Sequence, residues 1–529
     1  MNDGTPMKDR LTCHPDGEHI IYFDANGYET FASFVYCSSV GYTCYFDSNG
    51  YLYKDEITFV GDKAYYLNGN GKLENSGWFQ FANGMDYGYA NWDGTLITNG
   101  FSNDPWGRIV FYHWNGMVAR GLITDGAWYY SMDVTDGHYL GQFVNNSVTM
   151  HSKKGLQGSY GIYEDPDLNV NCVLENTHLS SWISDTPTTE SYNYNGTTYY
   201  FKPHPHLDDE VRRANERGIK VSLVLLMTWD ESHLNMIAPS ARVNDGSHAY
   251  FALNGYDPQV GALFCYLAMH YGQPDCHIDN WILGNEVNMP NLYNYTGTLD
   301  VNMNASIYAD SFLTLYNALQ NLNPYGKAYI SLDHSWTHND EGRGIAGKSY
   351  LNAFHAAINA RQQNVNWNLA YHLYTPIMTS SRMWLPKYRR YTPQNENAQF
   401  ISAVNLNALT GYVQNNFGPQ TRIILSEQGF DCHEGNQYQA AALAYTFYAA
   451  QFNDMVDEVL FRTYMPDEND GIFDFGLKDG NGTPREAYEV FKYMDTEMGH
   501  AYTDPYLQVI GVPGWDSLIP NYKAEVIWQ

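Results

Sequence analysis

The sequence predicts an α/β protein, a (β/α)8 TIM barrel preceded by an all-β solenoid domain of hairpin repeats. Three observations carry this. An aromatic–turn–glycine unit recurs at nearly constant spacing through the N-terminal part of the chain. From about residue 150, short apolar runs alternate with helical patterns. Two of those runs end in a glutamate, Glu286 and Glu427.

The repeats come first in the chain. Tyr22-Phe23-Asp24-Ala25-Asn26-Gly27, Tyr45-Phe46-Asp47-Ser48-Asn49-Gly50 and Tyr65-Tyr66-Leu67-Asn68-Gly69-Asn70-Gly71 share one pattern, and weaker copies end at Gly94, Gly116 and Gly137. Successive glycines are 23, 21, 23, 22 and 21 residues apart. Asn-Gly and Asp-Gly provide the positive φ that tight turns require, so each unit reads as a β-hairpin. A lone hairpin is marginal in water, so the units must stack their aromatics on one another. This array, residues 17–145 after an N-terminal extension of 1–16, resembles the choline-binding and glucan-binding repeats of bacterial surface proteins. The resemblance implies a cell-wall or glucan ligand. That family commonly opens a repeat with Gly-Trp; here only Gly77-Trp78 fits well, against Gly100-Phe101 and Gly121-Leu122. An aromatic role confined to gluing the solenoid is the competing reading.

The second part, 146–500, alternates strands and helices. The strand candidates are Gly155–Gln157, Val170–Leu174, Ile219–Leu226, the run ending at Glu286, Ala328–Asp333, Leu369–Tyr374, the run ending at Glu427, and Glu458–Tyr464. Helical patterns cover Asp208–Arg217, Gly261–Tyr271 and Ser311–Leu322. Eight strands interleaved with helices read as a (β/α)8 barrel. A doubly wound open sheet would need a glycine-rich phosphate turn after an early strand, and none is convincing. Residues 501–529 read as a tail packing on the barrel.

Barrel active sites lie at the C-terminal ends of the strands. A carboxylate closing a buried strand is costly unless it reaches such a site. Asn-Glu occurs three times, but Asn215-Glu216 sits in a polar helix face and Asn395-Glu396 in a loop; only Glu286 closes an apolar strand. Paired carboxylates at two strand ends are the apparatus of glycoside hydrolysis.

Strand four ending in Asn285-Glu286 and strand seven ending in Glu427 resemble the large clan of retaining glycosidases built on (β/α)8 barrels. The resemblance implies that Glu286 is the general acid/base, Glu427 the nucleophile, and Asn285 a contact to the sugar 2-hydroxyl. His372-Leu373-Tyr374 matches the strand-six His-x-Tyr of that clan, and the run Gly476–Tyr488 is similar to the stretch after its strand eight. Lys153-Lys154-Gly155-Leu156-Gln157 is similar to the opening of an uncharacterised barrel family of the clan. Many clan members carry an arginine on strand two; here Asn169–Asn176 has none, leaving Arg462 on strand eight, or Asn176, to compensate. Trp229, Trp336 and Trp384, just past strands three, five and six, are candidate sugar platforms, with Asp230, His334 and His338 beside them. The long stretches between strands three and four and at Thr375–Phe400 are expected to shape the cleft.

Bulk properties bound the alternatives. A net charge of −29 over 529 residues excludes a nucleic-acid partner, and there is no apolar run long enough for a membrane span. The seven cysteines include no CxxC pair, which disfavours a zinc knuckle; Cys37 and Cys44 would bridge only in an oxidising compartment. No cofactor and no metal is expected for a paired-glutamate site. Two other functions compete: a non-catalytic carbohydrate-binding or adhesion protein, and a metal-dependent barrel hydrolase using His204, His206 and Asp208, whose His-x-His precedes a helix instead of ending a strand. Met1-Asn2-Asp3-Gly4 opens without a secretory leader, so a secreted or cell-surface location is expected from the domains.

Overall fold

The computed structural model of the chain describes residues 5–125, 128–144 and 148–529. The chain divides into two compact units, 1–146 and 147–529. The Asn145-Asn146-Ser147 stretch, linker-like in sequence, lies outside the described residues.

The first unit is a series of antiparallel hairpins: Arg10–Cys13 with Ile20–Phe23, Ser33–Cys37 with Tyr42–Phe46, Glu56–Val60 with Lys63–Leu67, Gly77–Gln80 with Tyr87–Ala90, and Gly100–Asn103 with Ile109–Tyr112. A three-stranded sheet, Gly121–Thr124, Trp128–Met132 and Tyr139–Val144, ends it. Arg10–Cys13 falls in the segment that reads as an extension, because it has neither an aromatic pair nor a repeat glycine.

The repeat glycine closes the turn after each hairpin's second strand. Gly27 donates to the Asp24 carbonyl at 2.9 Å, Gly50 to Asp47 at 3.0 Å and Gly71 to Asn68 at 2.7 Å. Two requirements fix glycine there. Its φ is positive, 75° at Gly71 and 85° at Gly94. A Cβ would also strike the preceding unit, 2.9 Å from Leu52 for Gly71 and 2.6 Å from Leu73 for Gly94. Two residues past three of these turns a leucine bonds back to an earlier hairpin: Leu52 N–H to the Ile20 carbonyl, Leu73 to Thr43 and Leu96 to Ala64, each at 2.8 Å; Val118 takes that place after Gly116, bonding to Tyr87 at 2.9 Å. From Gly50 to Gly137 the period is therefore the chain length from one such stacked aliphatic residue to the next. Aromatics fill the seams; Phe34 lies 4.8 Å from Tyr45 and 4.6 Å from Tyr65. Cys37 and Cys44 are buried free thiols in a cluster with Tyr22 and Phe46.

The second unit is a closed barrel of eight parallel strands: β1 (Lys154–Gln157), β2 (Cys172–His178), β3 (Lys220–Leu226), β4 (Asn280–Leu283), β5 (Lys327–Leu332), β6 (Asn368–His372), β7 (Ile423–Gln428) and β8 (Val456–Phe461). Closure comes from β8 pairing with β1, Phe461 opposite Leu156. That ring rules out the open doubly wound sheet. Alternation divides each strand between two cores: Leu174, Val224, Ile282, Tyr329, Ala370, Ile424 and Leu460 fill the interior, while Val173, Leu223, Trp281 and Ile330 belong to the larger core that includes the helices. Both faces are buried, which is why the strands read as apolar runs.

Each strand is followed by a helix: α1 (Tyr160–Tyr163), α2 (Pro205–Glu216), α3 (Pro258–His270), α4 (Val301–Leu322), α5 (Gly347–Arg361), α6 (Leu406–Phe417), α7 (Asn436–Gln451) and α8 (Glu486–Tyr493). Sequence chemistry starts several of them. Pro258 opens α3 while the Asp257 side chain accepts from Gln259 N–H, and Asp300 caps α4 through Met303 N–H. Residues after α8 form two short helices, Gly499–Thr503 and Pro505–Ile510, and a last strand, Val526–Trp528, parallel to Val148–Met150. Trp515 of this tail is buried with its ring 5.0 Å from Tyr448 of α7. No helix among the described residues is long and apolar enough to cross a membrane.

Candidate active site

Glu286 lies three residues past the end of β4. Gly284 and Glu286 both have positive φ, 73° and 42°. That backbone is costly for a residue with a Cβ, and such strain collects at functional sites. Here it is held in place: Ser331 Oγ on β5 accepts the Glu286 N–H at 3.1 Å, and the Glu286 carbonyl accepts from Met289 N–H at 2.7 Å. The turn aims the carboxylate at β6, where Oε1 sits 2.8 Å from His372 Nδ1.

Glu427 is carried by β7. Tyr374 Oη, two residues past His372, donates to its Oε1 at 2.6 Å. Gln157 Nε2, from the end of β1, donates to its Oε2 at 3.2 Å. Arg462, just past β8, brings Nη1 to 4.0 Å from the same oxygen. Arg462 is itself fixed by Asp470 at 2.5 Å, Asp467 at 3.1 Å and the side-chain amide oxygen of Gln157, Oε1, at 3.2 Å. A ligand atom from each of Glu286, His372 and Glu427 lies within 4.8 Å of the others. Those three side chains have the atoms of a cation site, but their bonding does not suit one. His372 Nδ1 is spent on Glu286, and a guanidinium beside Glu427 would repel a metal ion.

The two carboxyls are pushed apart. Burial drives Glu286 above its ordinary value, with Asp333 and Glu427 adding to it against the opposing His372. Burial pushes Glu427 the same way, yet the charges of His372 and Arg462 and the bonds from Tyr374 and Gln157 bring it below the ordinary range. His372 loses proton affinity to burial but regains more from Glu427 and Glu286, and ends above its ordinary value. Two groups of one chemical type, one inclined to keep its proton and one to lose it, are the requirement for paired acid and nucleophile.

The other expected site residues divide. Asn285 is half-buried between Gly284 and Glu286 with no side-chain hydrogen bond among the described residues. His334 stacks on Phe400 with centroids 5.1 Å apart and lies 6.1 Å from Tyr374. Trp229 is half-buried beside Phe251, and Asp230 is taken up locally, accepting from Ser232 N–H and pairing with His233. Trp336 and Trp384 are not platforms. Trp336 is fully buried with Nε1 donating to the Glu396 carbonyl, and Trp384 is 6% exposed within the core, because the long loop after β6 folds inward, covering Trp336 with Glu396 and carrying its own Trp384 into the core. The set His204, His206 and Asp208 does not converge: His204 stacks on Trp182, His206 is exposed beside Glu210, and Asp208 binds His270 and Tyr271.

Three site residues escape the sequence reading. Gln157 obeys the same strand-end rule as the glutamates, but its strand is too short to stand out. Tyr250 and Tyr293 come from loops after β3 and β4, their rings 6.3 Å apart. Burial raises both phenols, and the charge of Glu427, joined at Tyr293 by that of Glu286, raises them further.

Residues 146–518 match a family model described as a family of unknown function, DUF5722. The match spans well over half of the chain, and the chain belongs to that family. Similar solved structures include a family 39 glycoside hydrolase from the gut symbiont Bacteroides cellulosilyticus WH2, with 12% identity over 81% of this chain and 80% of that one at a TM-score of 0.46. A glucosidase from Croceicoccus marinus has 12% identity over 66% and 68% at 0.43. Choline binding protein F from Streptococcus pneumoniae has 25% identity over 25% and 40% at 0.20. The comparison with curated proteins finds no match.

Proposed function

We propose that the barrel is a glycoside hydrolase that works by retaining double displacement. One observation carries the reading: Glu286 and Glu427, at the C-terminal ends of β4 and β7, bring carboxylate oxygens within 4.8 Å of each other. Retaining enzymes hold the pair about 5–5.5 Å apart, whereas inverting ones leave room for a water at about 6.5–9.5 Å. Glu427, held ionised, attacks the anomeric carbon. Glu286, held protonated, gives its proton to the leaving glycosidic oxygen as that bond breaks. The glycosyl ester on Glu427 then removes one of the charges that add to the effect of burial on Glu286. Glu286, now ionised, takes a proton from water, whose oxygen displaces Glu427 and releases the sugar. His372 orients Glu286, while Tyr374, Gln157 and Arg462 keep Glu427 charged. A purely adhesive barrel has no need of this bonding around both carboxylates.

The hairpin array is read as an anchor to a cell wall or glucan, which fits a secreted or cell-surface enzyme. Tethering would raise local substrate concentration without altering the chemistry. The test is a panel of aryl glycosides and polysaccharides assayed with the wild type, Glu286→Gln and Glu427→Gln. The account requires turnover by the wild type and none by folded Glu427→Gln. An active Glu427→Gln enzyme removes the paired-glutamate site.

A further inference from the structure

A cavity of about 420 Å³ opens beside the nucleophile, lined in part by Gln157, Tyr160, Asn176, Arg462, Asp467 and Glu468. Its volume is in the range of ligand pockets, about 300–1,000 Å³. Neither Glu286 nor Glu427 lines it, so it lies next to the reacting centre. Its side is defined by chemistry. Gln157 and Arg462 touch Glu427 and not Glu286. In double displacement the nucleophile faces the glycone and the acid faces the leaving group. The cavity is therefore on the glycone side.

Its walls have what a sugar ring needs. Tyr160 is 38% exposed. Its ring stacks on Tyr464 with centroids 4.8 Å apart and planes 18° from parallel. Tyr464 is pinned in turn by Asp165 at 3.0 Å and by the Lys478 ammonium 4.4 Å above its ring. A fixed, flat, half-open aromatic is a surface for the C–H face of a pyranose. Asn176, exposed on β2 two residues before its end, has no side-chain hydrogen bond among the described residues. The charge is one-sided. Arg462 is committed to Asp467, Asp470 and Glu427, and Glu468 is exposed with no ion pair among the described residues. An anionic sugar would meet carboxylates without a free cation.

We infer that this cavity is a subsite for a second, uncharged sugar ring on the glycone side, with Tyr160 as stacking platform and Asn176 as hydroxyl partner. The inference rests on the glycosidase reading above and makes the enzyme one that prefers chains extended beyond the sugar it attacks. The experiment compares kcat/KM for matched aryl monosaccharides and aryl disaccharides (glucoside with cellobioside, xyloside with xylobioside, mannoside with mannobioside). The same comparison is made with a disaccharide whose outer ring is a uronic acid. The wild type should favour the neutral disaccharide over both others. Tyr160→Ala should lower the disaccharide-to-monosaccharide ratio by about 5- to 10-fold, and Tyr160→Trp should restore it. Glu468→Gln should narrow the gap between neutral and uronic substrates. A ratio untouched by Tyr160→Ala, or a uronic substrate preferred by the wild type, overturns the subsite while leaving the glycosidase reading intact. A wild type that cleaves no glycoside overturns both.

Discussion

Replacing Tyr374 by Phe deletes a single hydrogen bond and little else. The ring keeps its place 5.7 Å from Phe475, while Glu427 Oε1 loses a donor at 2.6 Å. A hydrogen bond to a charged group is worth about 1.5–3 kcal/mol. At about 1.4 kcal/mol per pKa unit, its loss should raise the Glu427 pKa by about 1–2 units. The sign follows from the role. Glu427 reacts only when ionised, and it now sits below the ordinary carboxylate range. With Tyr374→Phe the acid limb of kcat/KM should move up by that amount. The alkaline limb, set by the proton on Glu286, should stay nearly fixed, so the profile narrows from the acid side. Stability follows the same sign. A depressed folded pKa contributes stability above the unfolded pKa that is lost as pH falls, and the variant has less of it to lose. The assay is a pH series with an aryl glycoside, with circular dichroism to confirm folding. An acid limb that does not move would mean that Tyr374 does not hold the nucleophile charged, or that Glu427 is not the group titrating there.

His372→Ala removes the charge that lowers both carboxyls, so both limbs of the pH profile should shift upward and kcat should fall by about 10²-fold or more; unchanged limbs would show that His372 is only packing. Gly71→Ala places a Cβ 2.9 Å from Leu52 at a φ of 75° and should destabilise the array by about 1–3 kcal/mol, visible as an earlier thermal transition without loss of turnover on soluble substrate. A chain of residues 147–529 should hydrolyse small soluble glycosides at nearly the full-length rate but lose retention on insoluble glycan; loss of soluble activity would mean that the repeats help to form the cleft.

The barrel was legible because parallel strands buried on both faces leave contiguous apolar runs, and because a glutamate at the end of such a run has few places to go. Glu286 and Glu427 declared themselves by that conflict. β2 was harder. Its second half, Glu175 to His178, is polar because it emerges at the functional end of the barrel, and the apolar run Val170–Leu174 stops short of it. Gln157 was hidden in a four-residue strand. Position past a strand end did not decide where a tryptophan ring points. Trp336 and Trp384 were expected to line the cleft but were buried when the loop after β6 folded inward. Tyr250 and Tyr293 reach the site through loop paths that no local pattern encodes. In the array the glycine period was plain, whereas its cause, an aliphatic side chain of one unit (Leu52, Leu73, Leu96, Val118) seated on the next unit's glycine, needed the third dimension.

The most direct test of the central claim is the anomeric configuration of the first sugar released, followed by proton NMR before mutarotation, on whichever glycoside the panel shows to be cleaved fastest. Carboxylate oxygens within 4.8 Å predict that the product keeps the configuration of the substrate. A product released with the opposite configuration would contradict double displacement and assign Glu427 the role of a base acting through water.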